Sequence, residues 1–245
     1  AISVEDGSIE KICDVKGPAI YYVTSLAYDP AGQRLFYTAD NDYWRDLCAV
    51  DPATGKSRTL IRDARVGDLA FSQADSLLWG VRHMNGITTL VRIPPPYTRW
   101  EQVYSWPYGR FIYDIDVSPD GKWLAASLGE VSGRQTVRLM ALEALARGDT
   151  TSTTLMDFGA AIPGNFVFSP DGQALYGSSY YTGVSNIFRY DLARGAQDIV
   201  SNCDTGFFRP VPLPAGSAAG SPGDSLIVFR YTGQGFVPAL IEATP

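Results

Sequence analysis

Short runs of alternating apolar and polar residues follow one another along the whole chain, separated by turns rich in proline, aspartate and glycine. Three turns have nearly the same sequence: Asp29-Pro-Ala-Gly32, Ser118-Pro-Asp-Gly121 and Ser169-Pro-Asp-Gly172. Proline fixes φ at the second position, the preceding Ser or Asp side chain bonds the following backbone, and glycine adopts the positive φ that leads into the next strand. Because apolar alternation on both sides is typical of half-buried strands, each turn predicts a β-hairpin.

This turn recurs at regular intervals. Degenerate copies begin at Phe71 and Leu213, and the five turns are 43, 46, 51 and 44 residues apart. A second hairpin follows within a unit, as around Asp51-Pro-Ala-Thr-Gly55 and Arg194-Gly195. Four short strands recurring every ~40–50 residues predict an all-β fold, a β-propeller of four-stranded antiparallel blades. One short helix, over 141–146, is expected at the outer turn of the third unit.

The number of blades follows from counting these strands. A single domain over 1–245 is predicted to hold five blades, approximately 23–63, 64–108, 109–159, 160–204, and 205–245 closed by 1–22. The last unit supplies three strands, and Ile9–Val15 is expected to add the fourth, because an open ring leaves unpaired strand edges. A six-bladed ring with missing segments is the alternative, since the second repeat is degenerate and 217–223 is an insertion.

The fourth unit resembles the repeat of TolB-like propellers. The resemblance rests on Phe168-Ser-Pro-Asp-Gly172, Ser178-Ser-Tyr-Tyr-Thr-Gly183 and Asn186-Ile-Phe-Arg-Tyr-Asp-Leu192, and it extends through the link from Asn202 to Phe208. It covers essentially the whole chain and implies a bacterial, periplasmic or otherwise exported protein of the cell envelope whose propeller binds other proteins. Peptidases of the prolyl-oligopeptidase type carry propellers with the same repeat, so the resemblance indicates the fold more specifically than the function.

Composition excludes several classes of function. The formal net charge is −6, which offers no electrostatic basis for binding nucleic acid or an anionic membrane. No apolar run approaches the ~18 residues of a membrane-spanning helix. The three cysteines are too scattered for a disulfide framework or a zinc site, although one pair could be bridged in an oxidising compartment. The chain begins with Ala1, so we expect that a signal peptide has been removed or that the chain belongs to something larger.

Catalytic signatures are missing from the sequence as well. There is no G-x-S-x-G elbow and no phosphate-binding glycine loop, and the single histidine, His83, falls at a predicted hairpin tip. We therefore predict no catalytic residue, no metal and no cofactor, and favour a protein without enzymatic activity.

One set of polar residues recurs with the repeat. Each unit places a polar residue near the start of its innermost strand, and a propeller's innermost strands line its central channel. The predicted ring residues are Ser25, Asp68, Asp114, Asn165 and Arg209, with Asp116 on the same side of its strand. Such a ring could hold a cation, a sugar or the end of a partner's peptide. The alternative is that these side chains bind only water and each other.

Aromatic residues suggest a second surface. Tyr97, Trp100 and Trp106 flank the exposed-turn sequence Pro94–Pro96, which cannot pair as an interior strand. They are candidates for a protein-binding rim, with burial in the core as the alternative.

Three functions remain open at this point. The first is a non-catalytic scaffold that binds proteins in the cell envelope. The second is the propeller portion of a larger peptidase or outer-membrane protein. The third is a glycosidase-like enzyme that uses the acidic channel, which would need two carboxyl groups about 5–9.5 Å apart.

Overall fold

The computed structural model describes residues 1–15, 23–214, 216 and 225–244. Its regular elements are strands, apart from one short helix, α1 (Leu142–Ala146), which lies between the third and fourth strands of the third unit as expected. The strands form five antiparallel sheets of consecutive strands, one for each predicted blade. The prediction of an all-β, five-bladed β-propeller is confirmed.

The first two sheets have four strands each. In the first sheet these are β1 (Val23–Asp29), β2 (Arg34–Asp40), β3 (Arg45–Val50) and β4 (Ser57–Ile61). The second sheet consists of β5 (Val66–Phe71), β6 (Leu78–Met84), β7 (Ile87–Ile93) and β8 (Glu101–Ser105).

The third and fourth sheets also have four strands, and the fifth has three among the described residues. The third consists of β9 (Arg110–Val117), β10 (Trp123–Glu130), β11 (Gln135–Ala141) and β12 (Ser152–Asp157). The fourth consists of β13 (Pro163–Phe168), β14 (Ala174–Ser179), β15 (Asn186–Asp191) and β16 (Ala196–Ile199). The fifth consists of β17 (Phe207–Pro212), β18 (Ser225–Thr232) and β19 (Gly235–Glu242).

The repeated turn has the geometry that its sequence predicts. In the turns at 118–121 and 169–172, the glycine N–H donates to the serine carbonyl over 2.8 Å. The serine hydroxyl donates to the aspartate Oδ1 over 2.6 Å in both turns. That hydroxyl also accepts the N–H of the first strand residue, Trp123 or Ala174, over 2.9 Å. The aspartates of this turn therefore help to close the hairpins.

The chain divides into two compact units. The first consists of Ala1–Tyr113 and Leu145–Asp149, and the second of Asp114–Ala144 and Thr150–Pro245. Each unit has its own apolar core between the faces of its sheets. Fully buried residues of the first core include Phe36, Leu47, Val66, Leu78 and Ile93. The second unit has two apolar clusters, one with Val137, Leu175 and Phe188 and another with Leu226 and Val228.

The N-terminal segment packs in a different place from the one expected. Ile2 and Ile9 form an isolated antiparallel bridge, and Ile12, Cys13 and Val15 pack against buried residues of the first sheet. The expected pairing of Ile9–Val15 with the fifth sheet is not among the strand pairings of the described residues. Residues 16–22 of the closing segment and the insertion 217–223 lie outside the described residues.

Candidate functional site

The predicted ring positions coincide with irregularities in the innermost strands. The pairing register of the innermost strand shifts in four of the sheets, at Val23/Ser25, Val66/Asp68, Gly164/Val167 and Phe208/Val211. Asp114, Asn165 and Arg209 have positive φ angles of 45°, 53° and 50°. A β-bulge bends the strand and redirects a side chain. The repeat therefore encodes a bulge at this position as well as a polar residue.

In the first unit the two ring residues contact neighbouring strands. The Ser25 hydroxyl accepts a hydrogen bond from the Leu69 N–H over 2.9 Å, which ties β1 to β5. Asp68 Oδ2 lies 4.0 Å from His83 Nε2. Burial lowers the pKa of His83, and the positive charge of Arg45 lowers it further, so the neutral imidazole is favoured. A neutral imidazole forms only a weak electrostatic pair with this carboxylate.

In the second unit, two acids connect the innermost strands of consecutive sheets. Asp114 accepts the Asn165 N–H at Oδ2 over 3.1 Å and the Asn165 Nδ2 at Oδ1 over 3.3 Å. Asp116 Oδ2 accepts the Phe168 N–H over 2.8 Å. Burial raises the pKa of Asp116 to about 7 and that of Asp114 in the same direction. Asp114 and Asp116 therefore act as structural links between β9 and β13.

The remaining two ring residues, Asn165 and Arg209, line a cavity of about 650 Å³ in the second unit. We call it the aromatic pocket; its lining residues are Ile162, Gly164, Asn165, Ser178, Ser179, Tyr180, Ser185, Phe208, Arg209, Phe229 and Phe236. Its volume lies within the range of ligand-binding pockets, about 300–1,000 Å³. Mostly apolar walls with a few polar groups are the usual composition of such sites.

Aromatic rings form one continuous wall of this pocket. Phe208 lies between Tyr180 and Phe236, with ring centroids 5.9 Å and 5.3 Å away, and Tyr231 lies 5.3 Å beyond Phe236. Tyr180 and Phe236 are 57% and 59% exposed, and Ile162 is 64% exposed. Large apolar side chains exposed together around a cavity mark an interaction site.

Arg209 is the cationic group of the aromatic pocket. Arg209 is an exposed residue. Its guanidinium forms no ion pair within 4.0 Å with any residue that the structure describes. The neighbouring acid is Asp114, whose pKa the Arg209 charge lowers, against the larger effect of burial. The guanidinium is thus available to an anionic group that enters the pocket.

A second cavity, of about 420 Å³, lies in the first unit. We call it the polar cleft; its lining residues are Asp40, Asn41, Tyr43, Trp44, Arg45, Arg65 and His83. Arg45 Nε pairs with Asp40 Oδ1 over 2.7 Å, and the Asn41 amide donates to Asp46 and Asp63. The Arg65 guanidinium lies 3.2 Å from the centroid of the Trp44 ring. Most polar groups of the polar cleft therefore already have partners.

Two of the predicted rim aromatics lie in the core. Tyr97 is 2% exposed and donates its hydroxyl to the Ser76 carbonyl over 3.0 Å, while Trp106 is 4% exposed. Trp100 packs at the edge of the first core, with the Arg82 guanidinium 4.7 Å from its ring. A binding rim needs exposed rings, so we assign Tyr97 and Trp106 to the core.

In residues 1–15, 23–214, 216 and 225–244, no three His, Cys, Asp or Glu side chains cluster as metal ligands would. Over the same ranges, no helix has the length and apolar character needed to cross a bilayer. Cys13, Cys48 and Cys203 are free thiols.

Comparison with known proteins gives structural matches only. No family model and no curated sequence matches the chain. TolB from Acinetobacter baumannii superposes with a TM-score of 0.64 at 18% identity, over 91% of this chain and 50% of that structure. This chain therefore spans half the length of that TolB.

Two other solved structures show how widely the fold is used. A chain of the nidogen/laminin complex matches with a TM-score of 0.66 at 10% identity, over 90% of this chain and 76% of that one. Puromycin hydrolase matches with a TM-score of 0.60 at 13% identity, over 91% of this chain and 36% of the enzyme. Likeness at these identities establishes a β-propeller fold similar to that of TolB, and no activity.

The aromatic wall is the part of the pocket that the sequence reasoning missed. Phe208 directly precedes the ring residue Arg209, and Phe236 lies opposite Tyr231 in the β18–β19 hairpin. Tyr180 directly follows β14 and is exposed. Aromatic residues next to a ring position, in the strand and in the following hairpin, are the signal that could have identified it.

Proposed function

We propose that this chain is a non-catalytic, TolB-like propeller that binds a protein partner in the bacterial cell envelope. The observation that carries the proposal is the aromatic pocket, which is lined by the exposed rings of Tyr180 and Phe236 and by the exposed residue Arg209. Aromatic residues and arginine are the residue types enriched at the energetic centres of protein interfaces. Tyr180 and Phe236 can each bury a large apolar area against a partner.

The contacts of the acids argue against channel chemistry. A general acid and a nucleophile must reach substrate with their carboxyl oxygens. Asp114 and Asp116 instead accept hydrogen bonds from the backbone N–H groups of Asn165 and Phe168. This arrangement supports a structural role for Asp114 and Asp116, which makes the glycosidase-like alternative less favoured than binding.

The propeller portion of a larger protein is a second candidate function. It is supported by the match to puromycin hydrolase, of which this chain covers 36%. A propeller within a larger protein can also dock a partner, so the aromatic pocket is compatible with both candidates.

Site-specific photo-crosslinking tests the proposed binding. A photoreactive phenylalanine analogue replaces Phe236 in the pocket or, as a control, Val131, which is 81% exposed in the β10–β11 turn. We expect one defined protein crosslinked from position 236 in cells of the source bacterium, and none from position 131. Equal crosslinking from both positions, or none from position 236, would contradict the proposal.

A further inference from the structure

Arg209 adopts a backbone conformation that arginine disfavours. Its φ is 50°, in the left-handed region, where glycine and asparagine are the usual residues and other L-residues are strained. The same bulge position in β13 is filled by Asn165, a residue suited to this conformation. Strain of this kind persists only where the surrounding structure or the role of the side chain offsets it. The feature that distinguishes arginine from asparagine here is its guanidinium.

The pocket offers two kinds of surface side by side. Arg209 supplies a planar cation, which binds carboxylates through paired hydrogen bonds. Phe208, the preceding residue, and Phe236 supply apolar ring surface. A ligand that satisfies both must carry an anion close to an apolar group.

Asn165 adds a third contact of defined polarity. Its Nδ2 donates to Asp114 Oδ1, so Oδ1 of the Asn165 amide is the atom that can accept an N–H from a ligand. The protein as a whole is acidic, with a net charge of −6, so an anion is attracted here by local groups and not by the overall field.

From these contacts we infer that the aromatic pocket binds the C-terminal end of a polypeptide, with its carboxylate at Arg209 and its last side chain among the rings. The inference rests on the proposed function and specifies the chemistry of the partner. A chain end presents a carboxylate and a side chain on the same Cα, with a peptide N–H beside them for Asn165. An internal acidic residue carries its carboxylate on a flexible stem, with no fixed relation to a neighbouring apolar group.

Matched peptides measure this recognition directly. The probes are N-terminally labelled Gly-Gly-Ser-Gly-Ser-Phe with a free C-terminal carboxylate and the same peptide as a C-terminal amide, titrated with the purified chain by fluorescence polarisation. We expect the acid to bind at least about tenfold more tightly than the amide, because a hydrogen bond to a charged group is among the stronger ones. Replacing the last residue by alanine is expected to weaken binding by about tenfold.

Variants at position 209 show whether the Arg209 guanidinium binds the carboxylate. Arg209→Asn suits the left-handed backbone and is expected to fold, with binding of the acid reduced to that of the amide. Arg209→Lys keeps the charge without the planar fork and is expected to retain part of the discrimination. Equal affinity of acid and amide for the wild type, or discrimination that persists in Arg209→Asn, would overturn the inference.

Two further probes separate the other ligand chemistries. N-acetylphenylalanine binding as tightly as the peptide acid would identify a site for small aromatic acids and overturn the inference. An amidated peptide with an internal glutamate binding as tightly would identify a contact with charge alone, and would also overturn it. If position 236 crosslinks to one protein while acid and amide peptides bind equally, the proposed function stands and the inference is wrong. If neither experiment gives binding, both are wrong.

Discussion

Two arginines with the same backbone strain have different surroundings in the two units. Arg65 has a φ of 56° and Arg209 a φ of 50°. The Arg65 guanidinium is stacked on Trp44 in the polar cleft, where neighbouring charges are also paired. Arg209 lines the aromatic pocket and forms no ion pair with the described residues. The difference shows that the same strained backbone can carry a guanidinium that is already engaged, as at Arg65, or one that is open to a ligand, as at Arg209.

Asp114 and Asp116 in the second unit resemble Arg65, because their polar atoms are already engaged within the fold. Asp114 occupies the repeat position equivalent to Arg209, and Asp116 lies two residues further along β9. Their oxygens accept backbone N–H groups of β13, so they stabilise the fold. Equivalent positions in the repeat therefore have two roles, and the contacts of each side chain decide which.

The largest expected effect is on the pH dependence of stability at Asp116. Its pKa is about 7 in the folded protein because the carboxyl is buried, and about 4 when the chain is unfolded. The folded state therefore binds more protons between these values, and the free energy of unfolding falls as pH rises through this range. Between pH 5 and pH 8 we expect wild type to lose about 2–3 kcal/mol more than Asp116→Asn, measured by urea denaturation. Parallel pH curves for the two proteins would show that Asp116 is not a buried link.

The next effect separates the two cavities by their affinity for a peptide acid. Phe236→Ala removes a ring of the aromatic pocket and is expected to weaken binding about tenfold or more, as truncation of an interface hot spot does. Because Phe236 is 59% exposed, its removal should change stability by less than about 1 kcal/mol. Trp44→Ala in the polar cleft is the matched control, and its affinity should equal that of wild type. An equal loss of affinity in both variants would contradict the distinction between the cavities.

The smallest effect compares the two strained arginines in stability. Arg209→Gly relieves the left-handed backbone and should raise the free energy of unfolding by about 0.5–1 kcal/mol. Arg65→Gly gains the same relief but loses the stacking on Trp44, which is worth about as much. We therefore expect no net change at position 65, with thermal denaturation of both variants as the measurement. If Arg65→Gly raised the free energy of unfolding and Arg209→Gly did not, the proposed difference between the two arginines would be contradicted.

Local features of this fold could be read from the sequence because each is set by nearby residues. The turn at 118–121 closes through its own Ser118 and Asp120 side chains, and the helix at 142–146 occupies the predicted outer turn. The sheet on which Ile9–Val15 packs could not be predicted, because apolar alternation indicates that a segment is half-buried but not which sheet covers it. These residues pack on the first sheet where they are described.

The candidate site was predictable in part for the same reason. The repeat identified the polar bulge positions, including Asn165 and Arg209. Whether a side chain there is occupied depends on the next innermost strand, which lies 51 residues away for Asp114 and Asn165. The aromatic wall combines Tyr180, Phe208 and Phe236 from three parts of the chain, and spacing alone does not bring them together.

The most direct test of the account is a double-mutant cycle between Arg209 and the peptide's C-terminal carboxylate. It combines wild type and Arg209→Asn with the acid and amide forms of the peptide, and yields the coupling energy between the two groups. We predict a favourable coupling of about 1.5–3 kcal/mol, the range of a hydrogen bond to a charged group. A coupling energy of zero would contradict the claim that Arg209 binds the C-terminal carboxylate of the peptide.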